Sequence, residues 1–291
     1  MRILPDKKLL EAIRCPLCHG SMTLECSDDG KGASLRCMGQ VKRHCFDLAS
    51  SGYVNLMQPG HGDGGDSKEA VRARREFLSL EYYSPAALAL CDLVGRYAEP
   101  WQGILIDAGC GEGYYTARLA AKGFSVAGVD LSRPAVDSAA KRLGATGIGN
   151  GFFSVSSVYD LPMADASAAA VVNVFAPCAE EEFLRVLRPG GILAVMYAGP
   201  EHLMGLKKVL YDTIYENDGR ADLPKGMKLL TEERVKFEIQ VEGNGAVQNL
   251  FAMTPYYWKT SREDGEKLKK LDSLTTTVDM ILAVYQKKEE E

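Results

Sequence analysis

From residue 104 onward the apolar positions follow two alternating periods. A short apolar run, Ile104–Ile106, leads into Asp107 and the loop Gly109-Cys110-Gly111-Glu112-Gly113. A helix-like stretch follows from Tyr114 to Ala121. A β-rich run, Ser125–Val129, ends in Asp130, and another helical stretch comes after it. Strand, glycine loop, helix, strand and acid in that order predict the opening of a doubly wound α/β sheet. Further on, "GFFSVSSVYDLPMADASAAAVVNVFAPC" predicts a strand, a polar turn and a strand at Ala169–Phe175. "EEFLRVLRPGGILAVMY" reads as a helix, a Pro-Gly-Gly turn and a buried strand. "RVKFEIQVEG" and "TVDMILAVYQKK" predict a last antiparallel pair.

The N-terminal part follows neither period and is dominated by cysteine. Of eight cysteines (15, 18, 26, 37, 45, 91, 110 and 178), five lie within the first 45 residues. Without a secretion signal, such clustering points to a metal site before disulfides. Cys15 and Cys18 form a C-x-x-C knuckle, a spacing that turns two thiolates toward one ion. Zn²⁺ takes four such ligands in a tetrahedron. The second pair comes from Cys26, Cys37, His44 and Cys45, with His19 as an outsider. Cys26 and "SDDGKG" predict a strand and a hairpin turn between the knuckles. A module this small has little core, so a closed structural metal site would supply much of its folding free energy. "FDLASSGYVNL" is too apolar for a free linker and is expected to pack Phe46, Tyr53 and Leu56 between module and catalytic domain. "QPGHGDGGDS", Gln58 to Ser67, has the composition of a mobile segment. The division expected is a module at 1–57, a flexible linker at 58–70 and an α/β domain at 71–291.

Composition changes the picture little. Hydrophobic residues make up 46% and charged residues 25%, as in soluble globular proteins. No apolar run approaches the roughly 20 residues of a membrane span, and the N-terminus lacks a signal-peptide pattern. A cytoplasmic protein without membrane association is the expectation. The net charge of −5 excludes indiscriminate nucleic-acid binding through a large positive field. Residues 1–80 carry 12 Lys+Arg against 10 Asp+Glu, and the remainder 22 against 29, so an anionic partner is sought at the N-terminal part. Basic residues cluster at Lys42/Arg43 and at Arg72, Arg74 and Arg75, the latter at helical spacing that suits a phosphate backbone. Tyr53, Tyr82, Tyr83, Tyr256, Tyr257 and Trp258 are candidates to stack on an extruded base.

The glycine loop departs from the dinucleotide pattern G-x-G-x-x-G, because position 114 is Tyr. Asp130 closes the next strand, where a carboxylate accepts both ribose hydroxyls of an adenosine. The glycines let backbone approach an adenosyl amino acid closely. Asp107 suits the ammonium of a methionine moiety better than a pyrophosphate. S-adenosylmethionine (SAM) is therefore expected over NAD.

The segment with "LRPGG" resembles class I SAM-dependent methyltransferases over some 100 residues. There Ser157 and Val158, before "YDLP", fall where that family contacts adenine. The N-terminal Cys/His module, "FDLASSGYVNL", "DSKEAVRARREFLSLEYYSP", "DAGCGEGYYT", "VFAPC", "GPEHLMGLK" and "FAMTPYYWKT" together resemble the RlmA-type zinc-finger 23S rRNA (guanine-N1) methyltransferases. Some members of that family confer macrolide resistance. The resemblance implies zinc held by Cys15, Cys18, Cys37 and His44. Cys45 stays an alternative, because "GQVKR" spaces Cys37 from His44 more widely than is usual in the family. It also implies SAM contacts from Tyr83, from the loop Gly109, Cys110, Gly111, Glu112 and Gly113, and from His202 in "GPEHL"; Leu131, beside Asp130, is a further expected cofactor contact. The implied reaction is methylation of N1 of a guanine in a 23S rRNA hairpin, with Asp160 a candidate to take the N1 proton. A small-molecule methyltransferase of the same fold is the alternative, and the Cys/His module is what separates the two. A homodimer, which the sequence leaves open, would set one module beside the other subunit's cleft.

Overall fold

The computed structural model describes residues 2–28, 32–39, 43–57, 65–149, 151–217 and 224–288. The expected strands and helices of the catalytic part form close to the predicted bounds. These are β5 (Ile104–Ala108), α4 (Tyr114–Ala121), β6 (Val126–Asp130), α5 (Arg133–Thr146), β7 (Gly151–Val155), β8 (Ala168–Val174), α6 (Glu180–Val186) and β9 (Leu187–Ala198). The last pair is β10 (Met227–Glu242) and β11 (Ser273–Lys287), antiparallel to each other, with β11 antiparallel to β9. Before the sheet come α1 (Lys7–Ala12), β1 (Met22–Cys26), β2 (Ala33–Cys37), β3 (Cys45–Asp47), β4 (Val54–Asn55), α2 (Lys68–Leu78) and α3 (Ser84–Tyr97). Between β9 and β10 lies α7 (Met204–Leu210), and between β10 and β11 lie α8 (Asn244–Ala252), α9 (Tyr256–Lys259) and α10 (Arg262–Leu268).

Strands β1, β2 and β3 form a small antiparallel sheet, the ribbon. The large sheet runs β10-β11-β9-β8-β5-β6-β7-β4. Its parallel strands are apolar on both sides, as parallel strands buried on both faces must be. Because successive side chains point to opposite faces, each strand feeds two cores. Leu105, Val126, Phe153, Ala170, Val172 and Ile192 join helices α2 to α5, α7 and α8. Ile104, Ile106, Ala127, Phe152, Val171 and Leu193 face the other way.

That second face differs from a doubly wound sheet. The connection from β7 to β8 contains no helix. The ribbon and α1 cover the gap together with α6, and Leu9, Ile13, Leu35, Leu48 and Leu56 share one buried cluster with Ile106, Phe152 and Val171. The helix-free crossover is itself paired with the N-terminal part. Ile13 bridges Met163, the Arg14 N–H donates to the Pro162 carbonyl (2.9 Å), and the Ala164 N–H to that of Ala12 (2.7 Å).

The expected division at residue 57 therefore cuts through packed structure. β4 lies parallel to β7 at the edge of the catalytic sheet. Tyr53 and Leu56 are buried as expected, Phe46 is partly buried against the second core, and the Tyr53 hydroxyl accepts from Arg133 Nε at 2.9 Å. The linker expected at 58–70 does not extend to its end: Ser67 caps α2, accepting from the Ala70 N–H, and the helix begins at Lys68. Residues 58–64 and Lys42 lie outside the described residues.

Ile13 is fully buried where ribbon and sheet meet. Ile13→Ala is expected to cost about 2–4 kcal/mol and to lower one cooperative thermal transition. Separate ribbon and catalytic transitions in calorimetry would contradict the shared core.

Candidate active site and metal centre

Two turns bring the metal donors together. The chain from Cys15 to Cys18 folds into a knuckle in which the His19 N–H donates to the Cys15 carbonyl (2.8 Å) and the Cys15 N–H to that of Gly20 (2.9 Å). On the other side, β2 and β3 pair with Arg36 opposite Cys45. The next step of that register sets Cys37 beside His44. The Cys37 N–H donates to the His44 carbonyl (3.0 Å), and the His44 N–H reaches Cys37 Sγ (2.9 Å). The length of the intervening loop therefore does not matter, because cross-strand pairing fixes both ends.

The donor atoms of Cys15, Cys18, Cys37 and His44 all lie within 4.8 Å of one another. His44 Nδ1 is 3.4 Å from both Cys15 Sγ and Cys37 Sγ. Strand alternation turns Cys45 to the opposite face, where it is exposed. Cys26 pairs with Ala33 at the far end of the hairpin, about 13 Å along β1 from Met22, the residue opposite Cys37, at 3.3 Å per residue. Against the effect of burial, backbone N–H groups of His44 and Gly39 bring the Cys37 thiol down to about 6, while burial raises that of Cys15 to about 11. Three soft sulfur donors and one imidazole at this spacing fit Zn²⁺, whose charge would let the buried Cys15 ionise.

The second site forms at the carboxyl ends of β5, β6 and β7. Gly109, Gly111 and Gly113 have φ of 85°, 53° and 83°, the left-handed region that favours glycine. The loop is tied to β6: the N–H groups of Gly109 and Cys110 both donate to the Val129 carbonyl, at 2.8 and 3.0 Å. Asp130 closes the cradle. Its carboxylate accepts from the N–H of Gly111 (3.0 Å) and from that of Ser132 (2.8 Å). Each oxygen keeps a lone pair for a ribose hydroxyl. Asp107 is buried, with the Thr116 hydroxyl donating to it. Burial pushes its carboxyl up to about 7, against the hydrogen bond from Thr116.

Cys110 and Glu112 play framework parts. Cys110 is buried beneath the loop, within reach of Gly128. Glu112 is 1% exposed and accepts from Arg142 Nε of α5 at 2.8 Å, which fastens the loop to that helix. Leu131 is exposed just past Asp130, and Ser157 and Val158 follow β7, where the adenine end of a nucleoside would lie. Tyr83 is 3% exposed, and its hydroxyl has no partner among the described residues. It meets His202 edge to face, with ring centroids 6.0 Å apart. A buried donor left unpaired costs about 1–3 kcal/mol, so the orphaned hydroxyl fits a polar ligand beside it.

Three expectations change. Asp160 is a solvent-exposed residue of the crossover after β7, where its neighbour Leu161 is held by Glu182 and Arg185 of α6, rather than a buried base. Arg74 pairs with Asp66 and Arg75 with Ser138 Oγ (2.6 Å), so these two tie the protein to itself, while Arg72 pairs with Glu76 one turn along its own helix and stays largely exposed. Tyr53, Tyr82 and Tyr83 are packed into the first core. Reasoning from sequence missed Phe175, which is 50% exposed at the end of β8 with φ of 52°. Its sequence signal is faint: an aromatic ending an apolar strand reads as core.

The mixed sheet, the glycine loop after its first parallel strand and the acid after its second define a class I SAM-dependent methyltransferase. A family model described as a methyltransferase domain matches residues 105–191. A second, described as the RlmA N-terminal zinc ribbon, matches residues 13–61. The chain belongs to the RlmA-type family of 23S rRNA (guanine-N1)-methyltransferases. A 23S rRNA (guanine(748)-N1)-methyltransferase of Streptomyces fradiae is 31% identical over 260 residues, 87% of this chain and 88% of the relative. A Micromonospora griseorubida protein, provisionally named a 23S rRNA (guanine-N1)-methyltransferase, is 36% identical over 218 residues, 69% of this chain and 70% of that protein. A Bacillus subtilis (strain 168) protein, also provisionally so named, is 27% identical across 94% of this chain and 96% of its own.

The ribbon's register places His44, and not Cys45, with the three clustered cysteines. Purified protein is expected to hold one zinc per chain, and Cys45→Ser to keep it. His44→Ala and Cys37→Ser are expected to lose it in a chromogenic metal-release assay. Zinc loss in the Cys45 variant alone would reverse the assignment.

Proposed function

We propose that this chain transfers a methyl group from SAM to N1 of a guanine in a 23S rRNA hairpin, in the cytoplasm, with Cys15, Cys18, Cys37 and His44 holding a structural Zn²⁺. The observation that carries this reading is the union of a Cys₃His ribbon and a SAM-type cleft over one continuous core. The names of the relatives above supply the acceptor. Among the described residues, no helix is long and apolar enough to cross a membrane.

When bound, SAM supplies a methyl group already activated by its sulfonium. The chain's own part is positioning. Asp130 would take the ribose hydroxyls, pre-oriented by the N–H groups of Gly111 and Ser132. Leu131, Ser157 and Val158 would border the adenine. Gly109, Gly111 and Gly113 let backbone approach the ligand where a Cβ would be strained. Asp107 and the Tyr83 hydroxyl would hold the amino-acid end, and His202 stands behind Tyr83. The ribbon would read the RNA beside the cleft, and Arg43, exposed next to the metal cluster, offers a phosphate contact.

The test is incubation with methyl-labelled SAM and unmethylated ribosomal RNA, followed by primer extension. The expected result is one stop in 23S rRNA, because an N1-methyl blocks Watson–Crick pairing. Label entering small molecules of a cell extract and not RNA would overturn the reading.

A pH dependence follows from Asp107. Its folded pKa, about 7, is raised above the usual value near 3.9. Ionising it in the cofactor-free protein therefore costs stability, with none of this cost below about pH 4 and the full cost above pH 7. An ammonium partner needs the ionised form. SAM affinity, measured by calorimetric titration, is expected to fall by up to about tenfold per pH unit from pH 7 to pH 5. Asp107→Asn should weaken binding and flatten this slope; an unchanged slope in the variant would remove Asp107 from the ammonium site.

A further inference from the structure

The cofactor cradle occupies the ends of β5, β6 and β7. On the other side of β5 the sheet continues through β8 and β9, and a ligand crevice in an open α/β sheet opens where the strand order reverses, here between β5 and β8. The acceptor therefore belongs over the ends of β8 and β9. Two non-glycine residues with positive φ stand there: Phe175 (52°), just past β8, and Leu203 (59°), in the turn after β9. Such backbone costs on the order of 1–3 kcal/mol and persists only where its surroundings over-determine it.

Those surroundings are visible. The Phe175 N–H donates to the Met196 carbonyl of β9 (3.0 Å). The buried Asn173 amide donates to the carbonyls of Ala108 (3.2 Å) and Pro177 (3.0 Å), clamping the loop on either side of Phe175 to the end of β5. Ala176 lies so close to Gly109 that a Cβ there would overlap it. The loop carrying Phe175 thus rests on the glycine loop itself. The ring of Phe175 stacks on His202, with centroids 5.8 Å apart and planes 28° from parallel. His202 is buried and held from behind, with its Nδ1 accepting from the Asp279 N–H (3.2 Å). One face of Phe175 is backed, and half its surface is open. Exposing an aromatic on strained backbone gains nothing for folding. Other aromatics among the described residues are exposed too, including Trp101, Tyr159, Tyr215, Tyr257 and Trp258, but none of these has a positive φ.

We propose that Phe175, backed by His202, is the stacking platform for the acceptor guanine. Resting on the functional reading above, this assigns Phe175 a direct contact with the extruded base and His202 the part of a positioning residue. An aromatic face stacks on any base, so Phe175 fixes the base plane next to the methyl donor and leaves the choice of guanine to other contacts.

The test uses the whole zinc-loaded chain and 23S rRNA transcribed in vitro, under single-turnover conditions with SAM saturating and RNA below saturation, so that lost stacking shows in the rate. Phe175→Ala is expected to slow methylation about 10- to 100-fold, with SAM affinity within about twofold of wild type. Phe175→Tyr and Phe175→Trp are expected to restore most of the rate, and Phe175→Leu is not. An unchanged rate in the Ala variant overturns the proposal. So does rescue by Leu as full as by Tyr, since apolar packing would then suffice, and so does loss of SAM affinity in step with rate. Should the Ala variant fail to fold by circular dichroism, the comparison of Leu with Tyr decides. Wild-type protein that methylates no RNA would defeat the functional reading itself; an active wild type indifferent to Phe175 defeats only this inference.

Discussion

A parallel sheet exposes apolar side chains on both faces, and both must be covered. Here helices cover one face, but the crossover from β7 to β8 supplies none for the other. The zinc ribbon and α1 fill that space. Each large side chain they bury, such as Leu9, Ile13, Leu35 or Leu48, is worth about 1.5–3 kcal/mol relative to exposure. The Cys/His module is thus a structural layer of the catalytic domain. The two residues of β4 extend the link by pairing with the edge strand β7, where unpaired backbone would otherwise face solvent.

That coupling gives the metal centre a wider consequence. Zinc would organise the knuckle and the β2–β3 register, and those place Leu35 and Leu48 against the sheet. The cleft at the carboxyl ends of β5, β6 and β7 is organised by polar groups. Asp130 accepts two backbone N–H groups, Thr116 holds Asp107, and Glu112 is locked to Arg142. Burying carboxylates without enough partners raises their pKa, and a cationic, hydroxyl-rich ligand would relieve that cost. The cleft is built for a ligand of that character before one arrives.

Much of this was legible locally. The strand, glycine loop and Asp130 could be placed to within a few residues because tight turns and apolar periods are properties of neighbouring residues. The Cys15–Cys18 knuckle was legible for the same reason. The choice between His44 and Cys45 was not, because it depends on which strand pairs with β2 and in what register. The arginines of α2 looked available for phosphate, yet Arg74 and Arg75 find Asp66 and Ser138, the latter on a helix distant in sequence. Tyr53 and Tyr83 looked like stacking candidates and are core.

The sequence alone determined the two chemistries, a Cys/His metal site and an adenosyl-binding loop, because each is encoded by residue type at short spacing. Tertiary structure alone decided which donors converge, that the ribbon serves as the missing layer of the sheet, and that Phe175 stands exposed at the mouth of the cleft. Those outcomes depend on strand register, on which face a crossover leaves bare and on what packs behind a side chain. Contacts between residues far apart in the chain set all three.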